Sequence, residues 1–328
     1  MLAYLIRRIV QSAIVMLVVA LVAFALFRYV GDPINAMVSQ ETTLEDRAAL
    51  RDLLGLNDPF LVQFGRFIGN AVQGEFGMSY RLQQPVMELI LQRLPATLEL
   101  ALVSGLAAFV LGVSAGVYTA LNPRGGISTG IMTVSLIGVS LPTFLIGVLL
   151  IWLFAVELQW LPSFGRGETV TLPGGWVTGF LTPTGRISLI LPAITLGLYQ
   201  MTLIMRLVRA EMLEVLRTDY VKFARARGLS NRAVHFGHAL KNTLVPVITI
   251  TGLQLGSIIA FAIITETVFQ WPGVGALFIN SVRAVDVPVM AAYLVLIALI
   301  FVIINLIVDL LYYAVDPRLR VERGGARH

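Results

Sequence analysis

Four sets of residues in this 328-residue chain have types and spacings that chemistry could use. Gly112-Val113-Ser114-Ala115-Gly116 follows the Gly-x-Ser-x-Gly pattern that sets a nucleophilic serine on a strand-to-helix elbow in serine hydrolases. That chemistry needs a histidine and a carboxylate beside the serine. Here the run lies inside a long apolar stretch, and the three histidines, His235, His238 and His328, fall in polar segments elsewhere. The same residues form a Gly-xxx-Gly face, as do Gly252 to Gly256, and close helix packing is the reading they support. His235 and His238 stand three apart, a metal-compatible spacing, but no carboxylate or cysteine lies near them. A loop that wraps phosphates requires a lysine followed by Ser or Thr. The two lysines, Lys222 and Lys241, are followed by Phe223 and Asn242, so no such loop is present. Glu266 and Asp309 lie within apolar stretches, where a charge is costly and marks either a solute pathway or a local pair. No catalytic residue, metal site or cofactor of this chain's own is expected.

The elements that carry these residues follow from composition. Hydrophobic residues make up 57% and charged residues 13%, against roughly 45–50% and 25% in soluble domains. So few charges could not cover a surface in water, and a bilayer accounts for the excess. The net charge of +5 does not point to nucleic acid, because the basic residues are distributed as a membrane topology would place them. There is no cysteine, which excludes disulfides and thiolate chemistry.

A helix needs about 20 apolar residues to cross a bilayer. Six stretches qualify: Ile9–Val30, Leu98–Ala120, Gly130–Leu158, Leu189–Met205, Leu244–Phe269 and Val287–Val315. The first is too long for a signal peptide and reads as an uncleaved span. Lys and Arg fix the orientation, since they concentrate in cytoplasmic loops. With the N-terminus inside, fifteen of the 24 basic residues are cytoplasmic, eight of them between Arg206 and Lys241. The expected fold class is an all-α integral membrane protein of about six transmembrane helices with both termini cytoplasmic. Its parts are an N-terminal tip and first span (1–30), an extracytoplasmic amphipathic segment (31–97), a five-helix core (98–315) and a basic tail (316–328). In the outer segment, Thr43 three residues before Asp46 predicts a helix start and Gly55 a helix end. Pro85 suits the first turn of a further helix that continues through Pro95 into the second span. Pro142 and Pro192, inside spans, free backbone carbonyls and can kink helices around a cavity.

The cytoplasmic connection 206–243 is basic, rich in helix formers and too short for a core of its own. Tyr220, Phe223 and Ala224 share one face of a predicted short helix, with Lys222, Arg225 and Arg227 around the other. Ala224 and Ala226 keep that helix thin enough to enter a partner's groove. Gly228 can take positive φ and end it, Ser230 or Asn231 can cap the next helix, and Pro246 marks re-entry into the membrane. A basic helix resting on anionic lipid is the other reading of the same pattern.

TDYVKFARARGLS at 218–230, followed by HALKNTLVPV at 238–247, resembles the cytoplasmic EAA-type loop of ATP-binding-cassette importer permeases in its peptide-transporter form. The likeness extends along the chain. It includes LIRRIV at 5–10, Gly31-Asp32-Pro33, GEFGMSY at 74–80, RLPATLEL at 93–100, SLPTF at 140–144, LPAITLG at 191–197, TETVFQWPGVG at 265–275 and VDLLYYAVDPR at 308–318. The chain resembles the first permease subunit of dipeptide, oligopeptide, nickel and glutathione importers. That resemblance implies an ATPase-coupling contact at Tyr220, Ala224, Arg225, Ala226, Gly228 and Leu229. It also implies a second homologous permease, two ATPase subunits that bind the ATP and Mg, and an extracytoplasmic substrate-binding protein, all at the cell inner membrane. The sugar-importer Glu-Ala-Ala core is here Lys222-Phe223-Ala224, and Gly228 lies 18 residues before Pro246, a wider spacing than in that form. A self-sufficient secondary transporter or channel is the alternative, though internal repeats are lacking and only Glu266 and Asp309 are intramembrane ionisable candidates.

Overall fold

A computed structural model describes residues 2–29, 34, 43–53 and 55–315, and these are helical almost throughout. The helices are α1 (Leu2–Tyr29), α2 (Leu44–Leu53), α3 (Phe60–Gln73), α4 (Val86–Leu121), α5 (Gly126–Ser140) and α6 (Thr143–Leu150), which runs on as a π-helical turn, Ile151–Glu157. After a two-stranded hairpin, Val170–Thr171 with Val177–Thr178, come α7 (Pro183–Val215), α8 (Asp219–Ala226), a π-helical turn at Ala233–Ala239, α9 (Leu240–Val268), α10 (Val274–Ala284) and α11 (Val287–Val315). Among the described residues four helices are long and apolar enough to cross a bilayer, and two bent pairs bring the number to as many as six. The basic tail 316–328 and the Gly31-Asp32-Pro33 turn lie outside the described residues.

The third predicted span is not a straight helix. Its two halves, Gly126–Ser140 and Thr143–Glu157, meet at 113°. Pro142 has no N–H to donate and disfavours helical backbone at the residue before it. Leu141 is accordingly extended, with φ −94° and ψ 139°, and Pro142 has ψ 139°. Pro95, Pro192 and Pro246 instead sit within continuous helices, so a proline breaks the chain here only where its neighbour also leaves helical geometry.

The chain divides into two compact units. One comprises Met1–Thr97, Thr171–Val177 and Pro272–Val302. In it Thr43 caps α2, accepting from Asp46 N at 3.2 Å, and Gly55 follows the helix with φ +64°. Helix α3 is an addition to the sequence reading. Phe60, Phe64 and Phe67 fall at helical spacing and surround Phe24 of α1, with ring centroids 5.2, 5.5 and 5.7 Å away. The GEFGMSY run ends on a buried acceptor. Asp286 takes hydrogen bonds from Ser79 Oγ and from the backbone N–H groups of Tyr80 (3.1 Å) and Arg81 (3.3 Å). Thr97 Oγ1 accepts from Val274 N at 2.9 Å, satisfying a first-turn N–H of α10.

The other unit comprises Leu98–Val170, Thr178–Trp271 and Ile303–His328. Its core joins Ala108, Val117 and Ala120 of α4 to Ile204, Val208 and Met212 of α7, with Ala239 and Val247. Small residues set how closely these helices approach. A Cβ added at Gly112 would lie 2.9 Å from Met201 O, and one at Gly116 would lie 2.6 Å from Val208 Cβ. The Gly-x-Ser-x-Gly run is thus a packing face inside the continuous helix α4 and not a strand-to-helix elbow. Gly252 meets Val308 in the same manner, 2.6 Å from its Cγ2.

Candidate functional site

The segment that reaches beyond the spans starts with α7. At 33 residues it extends well past the predicted span Leu189–Met205, about 50 Å at 1.5 Å per residue. Thr218 Oγ1 donates to Val215 O at 2.6 Å in the turn that follows, and α8 begins at Asp219. Val221 and Ala224 of α8, both buried, pack with Val234 and against Val215 and Leu216. A short helix that could not hold its shape alone is thereby fixed on the chain's own core.

This packing revises one predicted face. Ala224, 6% exposed, lies inward with Val221 three residues before it, and not with Tyr220 and Phe223. The reason is Val234, beyond the helix, which Val221 and Ala224 face, while Phe223 is turned about 100° from Ala224 and Tyr220 stays on the exposed flank. Tyr220, Phe223, Arg225, Ala226, Gly228 and Leu229 are all exposed. Phe223 is 63% exposed, with the Arg227 guanidinium 5.8 Å from its ring centroid. Tyr220 Oη accepts from Asn242 Nδ2 at 2.7 Å, which ties α8 to the start of α9. Gly228 has φ +79° and ends the helix, with Leu229 N bonded back to Ala224 O at 3.3 Å. Ser230 Oγ then accepts from Ala233 N at 3.3 Å, so Ser230 is the cap of the next helix. The result is an exposed aromatic and basic ridge on a rigid base.

His235 lies before the apolar stretch that starts at Leu244. Burial first, and the Arg225 charge second, hold its imidazole below the usual histidine range. His238 is exposed. Among the described residues no group of three or more His, Cys, Asp or Glu is arranged to hold a metal ion.

The two intramembrane carboxylates differ in setting. Glu266 is fully buried within the protein near the end of α9, where its carbonyl accepts from Trp271 N at 2.8 Å. Asp309 is half-buried on α11. A further buried carboxylate goes unmarked by the sequence patterns. Glu99, 4% exposed, pairs with Arg166 at 2.5 Å and also accepts from Gly179 N at 3.5 Å. Arg166 in turn lies 5.9 Å from the Trp271 ring centroid. Glu99 stands inside the apolar stretch Leu98–Ala120, and that position was the available signal.

Family models match both parts of the chain. Residues 112–321 match the binding-protein-dependent transport system inner membrane component, and residues 1–101 match its N-terminal part. A dipeptide transport system permease protein of Alkalihalophilus pseudofirmus is 37% identical over 98% of this chain and all of its own length. An oligopeptide transport system permease protein of Bacillus subtilis is 40% identical, covering 97% of this chain and 99% of its own. A di/tripeptide transport system permease protein of Pseudomonas aeruginosa is likewise 40% identical, over 93% of this chain and 95% of its own. Among solved structures, an inward-facing methionine ABC transporter shares the fold, with a TM-score of 0.55 and 20% identity over 70% of this chain and 97% of that one.

Proposed function

Because this chain belongs to the family of binding-protein-dependent transport system inner membrane components, we propose that it forms half of the translocation pathway of an ATP-driven importer for short peptides. It is a multi-pass inner-membrane permease subunit and is not itself catalytic. The names of its relatives support peptides as the solute class. In this reading it pairs with a second homologous permease, receives solute from an extracytoplasmic binding protein, and is driven by two ATPase subunits that bind ATP and Mg.

The observation that carries the coupling part is the ridge on α8. It presents Tyr220, Phe223 and Leu229 to solvent while Val221 and Ala224 seat the helix on Val234 and on Val215 and Leu216 at the end of α7. A force applied to the ridge therefore reaches the end of α7 through buried contacts, and α9 through the π-helical turn that carries Val234 and the Tyr220–Asn242 hydrogen bond. Tilting those helices would alternate the access of a central cavity. Exposed aromatic residues beside arginines are also the residue types that dominate binding energy at protein interfaces.

Reconstitution tests the reading. The chain is placed in liposomes alone and with its second permease and ATPases, and entry of a radiolabelled dipeptide is followed. Uptake that requires ATP and every partner is expected. Dipeptide flux through the chain alone would favour the self-sufficient transporter instead.

A further inference from the structure

The second unit holds a cavity of about 310 Å³ that coupling does not use. Arg206 and Arg209 of α7 line it together with Ser128, Thr129 and Thr133 of α5. Ser128 is 1% exposed, and among the described residues its Oγ has no hydrogen-bond partner. The Nε of Arg206 is also buried and lacks a partner among them. Arg209 donates one N–H to Thr119 O at 3.1 Å. Among the described residues neither guanidinium forms an ion pair. Ser128 and Thr129 belong to the first turn of α5, whose preceding residue, Gly125, supplies no side-chain cap, so the positive end of that helix borders the same space.

Two uncompensated guanidiniums, an unsatisfied buried hydroxyl and a helix N-terminus together call for an anion with several acceptor oxygens. A tetrahedral phosphate meets that need, and arginine forks match it two bonds at a time. Position then selects the source. Arg206 follows the fourth apolar stretch directly and Thr129 precedes the third, so the cavity lies where a bilayer's headgroups would be, on the side the charge distribution assigns to the cytoplasm. Ile127, Val134 and Ile137 of α5 are exposed and apolar, and Leu136, which is exposed too, lines the cavity itself. An acyl chain could lie along that face while the headgroup is held by the arginines. We propose that this cavity seats the phosphate of an anionic phospholipid from the cytoplasmic leaflet. Basic pockets at the cytoplasmic ends of spans are suited to such lipids.

The test is native mass spectrometry on the whole transporter, delipidated and then titrated with dioleoylphosphatidylglycerol, dioleoylphosphatidylcholine or inorganic phosphate. Phosphatidylglycerol is expected to stay bound under activation that strips phosphatidylcholine, and millimolar phosphate is expected not to displace it. Arg206→Gln should reduce the retained phosphatidylglycerol at least fivefold, and Arg206→Lys should restore part of it. Thr133→Trp narrows the cavity without touching either arginine and should reproduce the loss, so the test survives a failure of the charge variant to assemble. Equal retention of the two lipids, displacement by phosphate, or full retention in Thr133→Trp would each overturn the proposal.

Discussion

Phe223→Asp is expected to reduce ATP-driven uptake by the assembled transporter at least tenfold while leaving the permease folded and inserted. The first half follows from the ridge. An aromatic anchor at an interface contributes about 2 kcal/mol or more on truncation, and each 1.4 kcal/mol is about a factor of ten. Aspartate also brings a charge that a partner's groove would have to bury, which adds to that cost. The second half follows from exposure. Phe223 touches little of its own chain, and substitutions at such sites usually change stability by no more than about 0.5 kcal/mol. Ala224 gives a less direct test than its neighbour. It is buried against Val221 and Val234, so a bulky residue there would overpack the seat of α8 and mix misfolding with uncoupling. Uptake, ATP hydrolysis and the amount of assembled complex are measured together. Normal uptake by Phe223→Asp would remove the ridge from the coupling path.

The second large effect concerns the buried pair Glu99–Arg166. Removing one partner of a buried ion pair typically costs about 3–5 kcal/mol, because the survivor remains charged in a medium that solvates it poorly. Arg166→Met should therefore lower the thermal stability of the purified complex sharply. The double variant Glu99→Gln with Arg166→Met should recover most of the loss, since no charge is then left behind. A residual deficit of about 1 kcal/mol is expected from the lost contact between Arg166 and the Trp271 ring. A double variant as unstable as the single would mean that the side-chain shapes matter here and the charges do not. The pair closes the connection between the third and fourth spans onto the start of the second, through Gly179 as well as Arg166.

Much of this architecture was legible because the bilayer imposes simple rules. Apolar length marked the spans, and Thr43, Gly55, Gly228 and Ser230 took the capping roles their types favour. What escaped were features that depend on neighbours distant in sequence. Glu99 and Arg166 are 67 residues apart, and nothing local marks them as partners. The inward face of α8 is set by Val234, which lies beyond the helix itself, so periodicity alone misplaced Ala224. Helix α3 was a different case. Phe60, Phe64 and Phe67 carry an evident helical spacing, but the segment lacks the cap residues that mark its neighbours, with Pro59 before the helix making no side-chain cap. The corner at Pro142 needed extended backbone at two successive residues, which proline permits and does not dictate, as Pro192 shows within an unbroken helix.

The α8 ridge and an ATPase subunit can be joined directly. The chain has no cysteine, so Phe223→Cys introduces a unique thiol. A short thiol-to-amine crosslinker applied to the whole transporter should join position 223 to an ATPase subunit. Leu136→Cys, on the exposed apolar face of α5, should not join it. Crosslinking from position 223 no stronger than from position 136 would contradict the claim that α8 is where the ATPase docks.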